Sequence, residues 1–243
     1  MIESTLAKSY EPELSRARAL LVEDATIRAL LDPRIPPALL ERFLIQFSAW
    51  GVQITRPVDG WIRRAGERCL QLGLDEIGRS LVAHSKHEKD HHLMLMDDTR
   101  LLVDRWNARR APPLSAERLF LEPATEAMRA YVALHEDTIT GDAPFGQVAI
   151  ELEIEGMSVS FGPRLIAQCL RVLGPDVVSG LSFIREHVAI DVGHTAFNQR
   201  LMDRVLAIRP DAAGRLAAIG GEALRIYVRF FGECLAAARR DAA

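Results

Sequence analysis

The chain has 243 residues, 49% hydrophobic and 26% charged, an ordinary composition for a globular protein with a substantial core. Its net charge of −3 supplies no basic field for nucleic acid and no polybasic patch for a membrane surface. Cys69, Cys169 and Cys234 are far apart and odd in number, which predicts neither a disulfide framework nor a zinc-thiolate pattern and suits a reducing cytoplasm.

The opening "MIESTLAKSYEPELSRAR" lacks the apolar core of a secretory signal, and no apolar run reaches membrane-spanning length. Residues 1–30 read as an arm or a short helix. Beyond them, apolar residues recur every three to four positions almost throughout, and alternating strand patterns are nearly absent. "DPRIPP" opens a helix through "ALLERFLIQFSAWGVQI"; Phe43, Phe47 and Trp50 dominate one face and read as core and as a wall of a substrate pocket. Pro57 interrupts, and "VDGWIRRAGERCLQLG" continues. "LGLDEIG" leads into a long predicted helix that runs through His84–His92 to about Arg109. Further helices are predicted through "ATEAMRAYVALHEDTI", from about Pro144 to Val172, from about Val177 to Ala207, and from "RPD" to near Arg239. Roughly seven helices with short connections predict an all-α, seven-helix bundle. No linker is long enough to divide it, so residues 1–243 read as a single domain.

Four of the seven histidines fall inside "HSKHEKDHH", His84 to His92. On a continuous helix His84, Glu88 and His91 lie within about 60° of one another, with Lys86 and Lys89 opposite. Burying a carboxylate is costly unless it is paired or bound to metal, and Glu-x-x-His on an inward face is one way helical bundles hold metals. In "REHVAIDVGHTAFNQRL", His187, Asp191 and His194 stand at i, i+4 and i+7 on one face, beside Phe183, Asn198 and Leu201. In "QVAIELEIEGMSVSFG", Glu155 shares a stripe with Val148, Leu152 and Val159. Glu151 lies one turn earlier as its alternative, and Glu153 reads as a solvated helix charge. Glu88, His91, Glu155, His187, Asp191 and His194 thus form a set of imidazoles and carboxylates. Mixed nitrogen and oxygen donors in a bundle suit iron or manganese, most naturally two ions with bridging carboxylates.

Glu88-x-x-His91, the later Glu155, and His187-x-x-x-Asp191-x-x-His194 resemble the pattern of the haem-oxygenase-like di-metal oxidases, over about residues 36 to 235. The resemblance implies a haem-oxygenase-like seven-helix bundle and two iron ions, cycling between Fe(II) and Fe(III), with dioxygen as co-substrate. It implies oxidation of an amino-acid-like or fatty-acid-like small molecule in natural-product biosynthesis, and a homodimer; the charge balance predicts no nucleic-acid or membrane partner. Some members place an acid where this chain has His84, which leaves His84 open between metal ligand, hydrogen-bond partner and core residue. Asp98 and Asn198 are on faces suited to orienting the imidazoles; Arg164 or Arg185 could clamp a carboxylate, and helix-surface salt bridges explain them equally well. Metal-free enzymes of the same fold, of the thiamin-salvage or quinone-cofactor-oxidase kind, would leave these ligand-type residues without a neutralising ion. A ferritin-like di-iron protein does not need His187. Haem oxygenase binds haem through a histidine on its first helix, and no histidine precedes His84 here. A metal-storage or interaction protein gives no reason for ligand types on three inward stripes.

Overall fold

The computed structural model describes residues 6–241. Among these residues regular structure is entirely helical, and eleven α-helices carry it. At the centre is α3 (Pro37–Thr55), which starts at a Pro-Pro step whose fixed φ suits the first helical turn. Residues 40–52 are all buried, as expected of a helix that is apolar around most of its circumference. It packs against α6 (His91–Asn107), α9 (Gln147–Leu173) and α11 (Ala213–Asp241). Phe43 and Phe47 meet Phe231 of α11 at ring-centroid distances of 6.1 and 5.6 Å. The one acid in α3, Glu41, is neutralised by Arg105 and Arg110. No helix among the described residues is long and apolar enough to cross a membrane.

The all-α, seven-helix reading holds in outline, with several expected segments divided. The N-terminal region forms α1 (Glu11–Glu23) and α2 (Ala25–Leu31), the second capped by Asp24 through Thr26 N at 2.7 Å. After α4 (Val58–Gln71), the long helix expected through His84–His92 is two helices. The first, α5 (Asp75–His84), ends on His84; α6 begins on His91; Ser85–Asp90 form turns between them. Six consecutive polar residues give this stretch no apolar stripe to bury. Ser85 Oγ turns back to the Val82 carbonyl, and Asp90 takes a left-handed φ of 65°, which a short polar side chain tolerates. α7 (Ala116–Phe120) and α8 (Glu126–Thr140) follow, with Ser115 and Thr125 as N-caps.

α9 and α10 (Ser182–Ile208) lie side by side. Glu155 meets Asn198, and Gly162 faces Val188, so the two helices run antiparallel. The approach requires glycine: a Cβ on Gly162 would stand 2.4 Å from a Val188 methyl.

Glu153 corrects one expectation, since it is buried rather than solvated. It does face away from Glu155, toward the N-terminal helices. Arg18 of α1 grips it bidentately at 2.7 and 2.8 Å, and the Tyr10 hydroxyl donates to it at 2.9 Å. Burial and the Glu153 carboxylate push the Tyr10 hydroxyl's pKa upward, so it stays a donor. Gly220 of α11 makes room for this clasp, because a Cβ there would lie 2.6 Å from the Tyr10 oxygen and 2.9 Å from Glu153 Cγ. Gly220→Ala is expected to destabilise the protein by about 1–3 kcal/mol in urea unfolding, as overpacking does, despite alanine's better helix propensity.

Candidate metal centre and adjoining cavity

Two groups of ligand-type side chains meet in the bundle. His84, Glu88, Glu155 and His194 each offer one atom within 4.8 Å of the others, and so do Glu88, His91 and His187. Glu88 belongs to both. The structure thus brings Glu88, His91, Glu155, His187 and His194 together and adds His84. His84 Nε2 is 3.2 Å from Glu155 Oε1, and its ring meets that of His194 edge-on at 4.9 Å. Asp191 lies outside both groups but beside them, with Oδ1 3.5 Å from His194 Nδ1. The break between α5 and α6 changes how the first cluster forms. His84 closes one helix, His91 opens the next, and Glu88 sits on the turn between them. Lys86, His87 and Lys89 are exposed, and His92 is half-buried.

Several groups here are buried without satisfied geometry. His91 Nδ1 is 3.0 Å from Glu88 Oε2 and His194 Nδ1 is 3.3 Å from Glu88 Oε1, yet neither nitrogen has a hydrogen-bond partner. Asp191 Oδ2 and Asn198 Oδ1 are also buried and unpartnered. Imidazole nitrogens and carboxylate oxygens converging in this way are a poor hydrogen-bond network but a fitting donor set for divalent cations.

Burial pulls the His84 and His187 imidazoles below their usual range, which keeps them in the neutral form that binds metal. His187 Nδ1 is 2.8 Å from the Phe183 carbonyl. A carbonyl can only accept, so the proton sits on Nδ1 and Nε2 is left to ligate. The neighbouring Asp191 raises the pKa of His194 against the effect of burial. Burial raises the pKa of Glu88, but His91, His84 and His187 outweigh it and the group titrates below the usual carboxylate range. Burial, then the Asp191 charge, puts Glu155 well above that range. Neither residue expected to orient the imidazoles bonds one directly. Asn198 Nδ2 donates to Glu155 Oε2 at 2.7 Å. Asp98 caps α10, accepting from Ser182 N and Oγ at 2.8 Å and Phe183 N at 2.9 Å.

A cleft of about 880 Å³, counting the solvent at its mouth, opens beside the centre. Phe47, Tyr131, Phe161, Phe183, Tyr227 and Phe231 supply aromatic walls, and Glu88, Glu155, His187 and Asp191 supply the polar end. The expectation that Phe47 walls a pocket holds. Arg164 and Arg185 are not among the lining residues, which include no lysine or arginine.

Glu151 also lines the cleft but belongs to neither ligand group. Gln147 Nε2 donates to its Oε1 and approaches His135 Nδ1 at 3.0 Å. His135 in turn stacks on Trp61 at 4.1 Å. Sequence periodicity gave no sign of Gln147 and His135, because both look like ordinary members of helix faces. Burial, then the Glu155 charge, pushes the Glu151 carboxyl up to about 8. A carboxyl whose folded pKa is raised loses stability as pH climbs from its unfolded value, near 4.5, toward that folded value. In the metal-free protein Glu151→Gln is therefore expected to match wild type below about pH 4.5. By pH 8 it should be more stable by on the order of 2–4 kcal/mol, read from chemical denaturation across pH.

The fold is the haem-oxygenase-like helical fold, here enclosing a histidine–carboxylate cluster that could bind metal. It is similar to a domain of unknown function with a heme oxygenase-like fold from Shewanella denitrificans. That crystal structure matches with a TM-score of 0.72 at 15% identity, over 92% of this chain and 89% of that one. It is also similar to a TenA homolog from Pseudomonas syringae pv. tomato, with a TM-score of 0.70 at 14% identity, over 95% and 93%. No protein-family profile matches the sequence, and no curated protein matches it.

Proposed function

We propose that this protein is a non-haem di-iron oxidase or oxygenase that uses dioxygen to oxidise a small organic molecule held in the adjoining cleft. The observation that carries the reading is the pair of ligand groups sharing Glu88, since a carboxylate common to two donor sets is what a two-metal centre needs. His84, Glu155 and His194 would hold one ion, His91 and His187 the other, with Glu88 between them and Asp191 beside. When bound, an iron pair supplies electrons to dioxygen and oxidising power toward the substrate.

The chain's own part is binding, orientation and exclusion of water. The Phe183 carbonyl holds His187 in the tautomer that presents Nε2. Asn198 steadies one oxygen of Glu155 and leaves the other facing His84. The aromatic walls keep water from the reacting face and give an apolar substrate its contact area.

The test is anaerobic titration with Fe(II), followed by exposure to oxygen under optical spectroscopy. Two irons per chain, with a transient visible absorption and oxygen consumption, support the reading. Absence of iron uptake overturns it and favours a metal-free enzyme of this fold.

A further inference from the structure

The cleft is acidic at its inner end and aromatic along its walls. Glu88 and Glu155 belong to the ligand groups and Asp191 stands against His194, whereas Glu151 is in neither group. It is 6% exposed and lines the cleft. Gln147 engages Oε1, which leaves Oε2 for a ligand. Ionising a buried carboxyl that has one neutral partner is costly, and a positive charge brought by a ligand removes that cost. No lysine or arginine lines the cleft to supply such a charge, and His84, the imidazole that acts on Glu151, is engaged by Glu155.

The aromatic side chains near Glu151 match that demand. Tyr131 packs edge-on against His135, at 4.6 Å between ring centroids, and His135 meets the Gln147 that holds Glu151. Tyr227 meets Tyr131 edge-to-face, 5.7 Å between centroids at an interplanar angle of 76°, and both rings line the cleft with Glu151. Ring faces set at an angle beside a carboxylate attract an ammonium group. Phe47, Phe161, Met157 and Leu165 offer apolar surface to the rest of the molecule. A carboxylate-bearing ligand, by contrast, would meet acids and no cation away from the metal ions.

We infer that the cleft selects an organic amine, bound as its ammonium with an apolar body, and that Glu151 is the residue that recognises the charged nitrogen. This rests on the reading that the cleft is the substrate site, and narrows the substrate class from acids to amines.

The experiment is isothermal titration at neutral pH with three probes of equal length: n-octylamine, octan-1-ol and octanoate. Each is titrated into the metal-free protein and into protein loaded with redox-inert Zn(II). The amine is expected to bind at least about tenfold more tightly than the alcohol in both forms, and than the carboxylate in the metal-free form. Glu151→Gln, which keeps the side-chain shape, should remove about tenfold or more of that preference. Octanoate binding as well as the amine to the metal-free wild type overturns the inference without recourse to a variant. An amine preference that survives Glu151→Gln in the Zn(II)-loaded protein overturns the role of Glu151. Amine selection by a protein that takes up no iron leaves this inference standing while the di-iron reading falls. Iron uptake without amine selection does the reverse.

Discussion

Replacing Glu88 with alanine is expected to disrupt both metal positions, whereas replacing His91 or His84 disrupts one. Glu88 is common to the two ligand groups. Its loss leaves two histidines in one group, His91 and His187, and His84, Glu155 and His194 in the other. It also removes a carboxylate whose charge would offset that of two adjacent cations. Removing an outer partner of a metal ligand already weakens affinity by roughly 10–100-fold, so removing a shared ligand should weaken both positions by roughly a hundredfold or more. Elemental analysis after anaerobic Fe(II) loading reads this directly. Wild type should hold two irons, His91→Ala and His84→Ala one each, and Glu88→Ala fewer than either. Full iron loading in Glu88→Ala would show that the geometry around this residue is not a shared metal site. His187→Ala should behave like His91→Ala, because both residues belong to the same group.

Asp98→Ala is expected to be the most damaging substitution outside the ligand set. Asp98 is 1% exposed and receives the Ser182 and Phe183 backbone N–H groups and the Ser182 hydroxyl at the start of α10. The first N–H groups of a helix have no partner within it, and here a neighbouring helix supplies one. Losing the cap costs about 0.5–2 kcal/mol, and each buried donor left without an acceptor adds about 1–3 kcal/mol where water does not reach it. Burial raises the Asp98 pKa more than these hydrogen bonds lower it, so the net contribution falls well short of that gross sum. A loss of about 2–3 kcal/mol in urea unfolding is the expected result. The effect should reach the metal centre as well. Asp98 holds Phe183 N, and the Phe183 carbonyl fixes His187 Nδ1 one turn further on. Weaker iron binding at the His91–His187 position, with the other retained, would distinguish this route from general unfolding. Asp98→Asn keeps one acceptor oxygen and should lie between wild type and alanine on both measures.

How much of this was legible in the chain depended on whether one element's periodicity was enough. His187, Asp191 and His194 could be placed on one face of α10 because their i, i+4 and i+7 spacing needs no knowledge of any other helix. The inward stripe of Glu155 was readable in the same way, and so were the helical class and the breaks at proline and glycine. The cluster around His84 was harder. Glu88 and His91 do approach each other, but across a turn and not on a continuous helix. A six-residue polar run carries no apolar stripe from which such a break can be foreseen, and the left-handed Asp90 leaves no mark in periodicity.

By itself the sequence determined an all-α chain and the residues that share an inward face on each helix, because helical geometry is local. The tertiary structure decided the rest, since inwardness on one helix does not say what stands opposite. Glu151 and Glu155, one turn apart, are both buried, and the packing of α10 against α9 puts Asn198 and His194 beside Glu155. Glu153, on the other side of the same helix, is buried because α1 brings Arg18 to it. His84 joins the candidate metal centre because α5 ends where α6 and α10 converge.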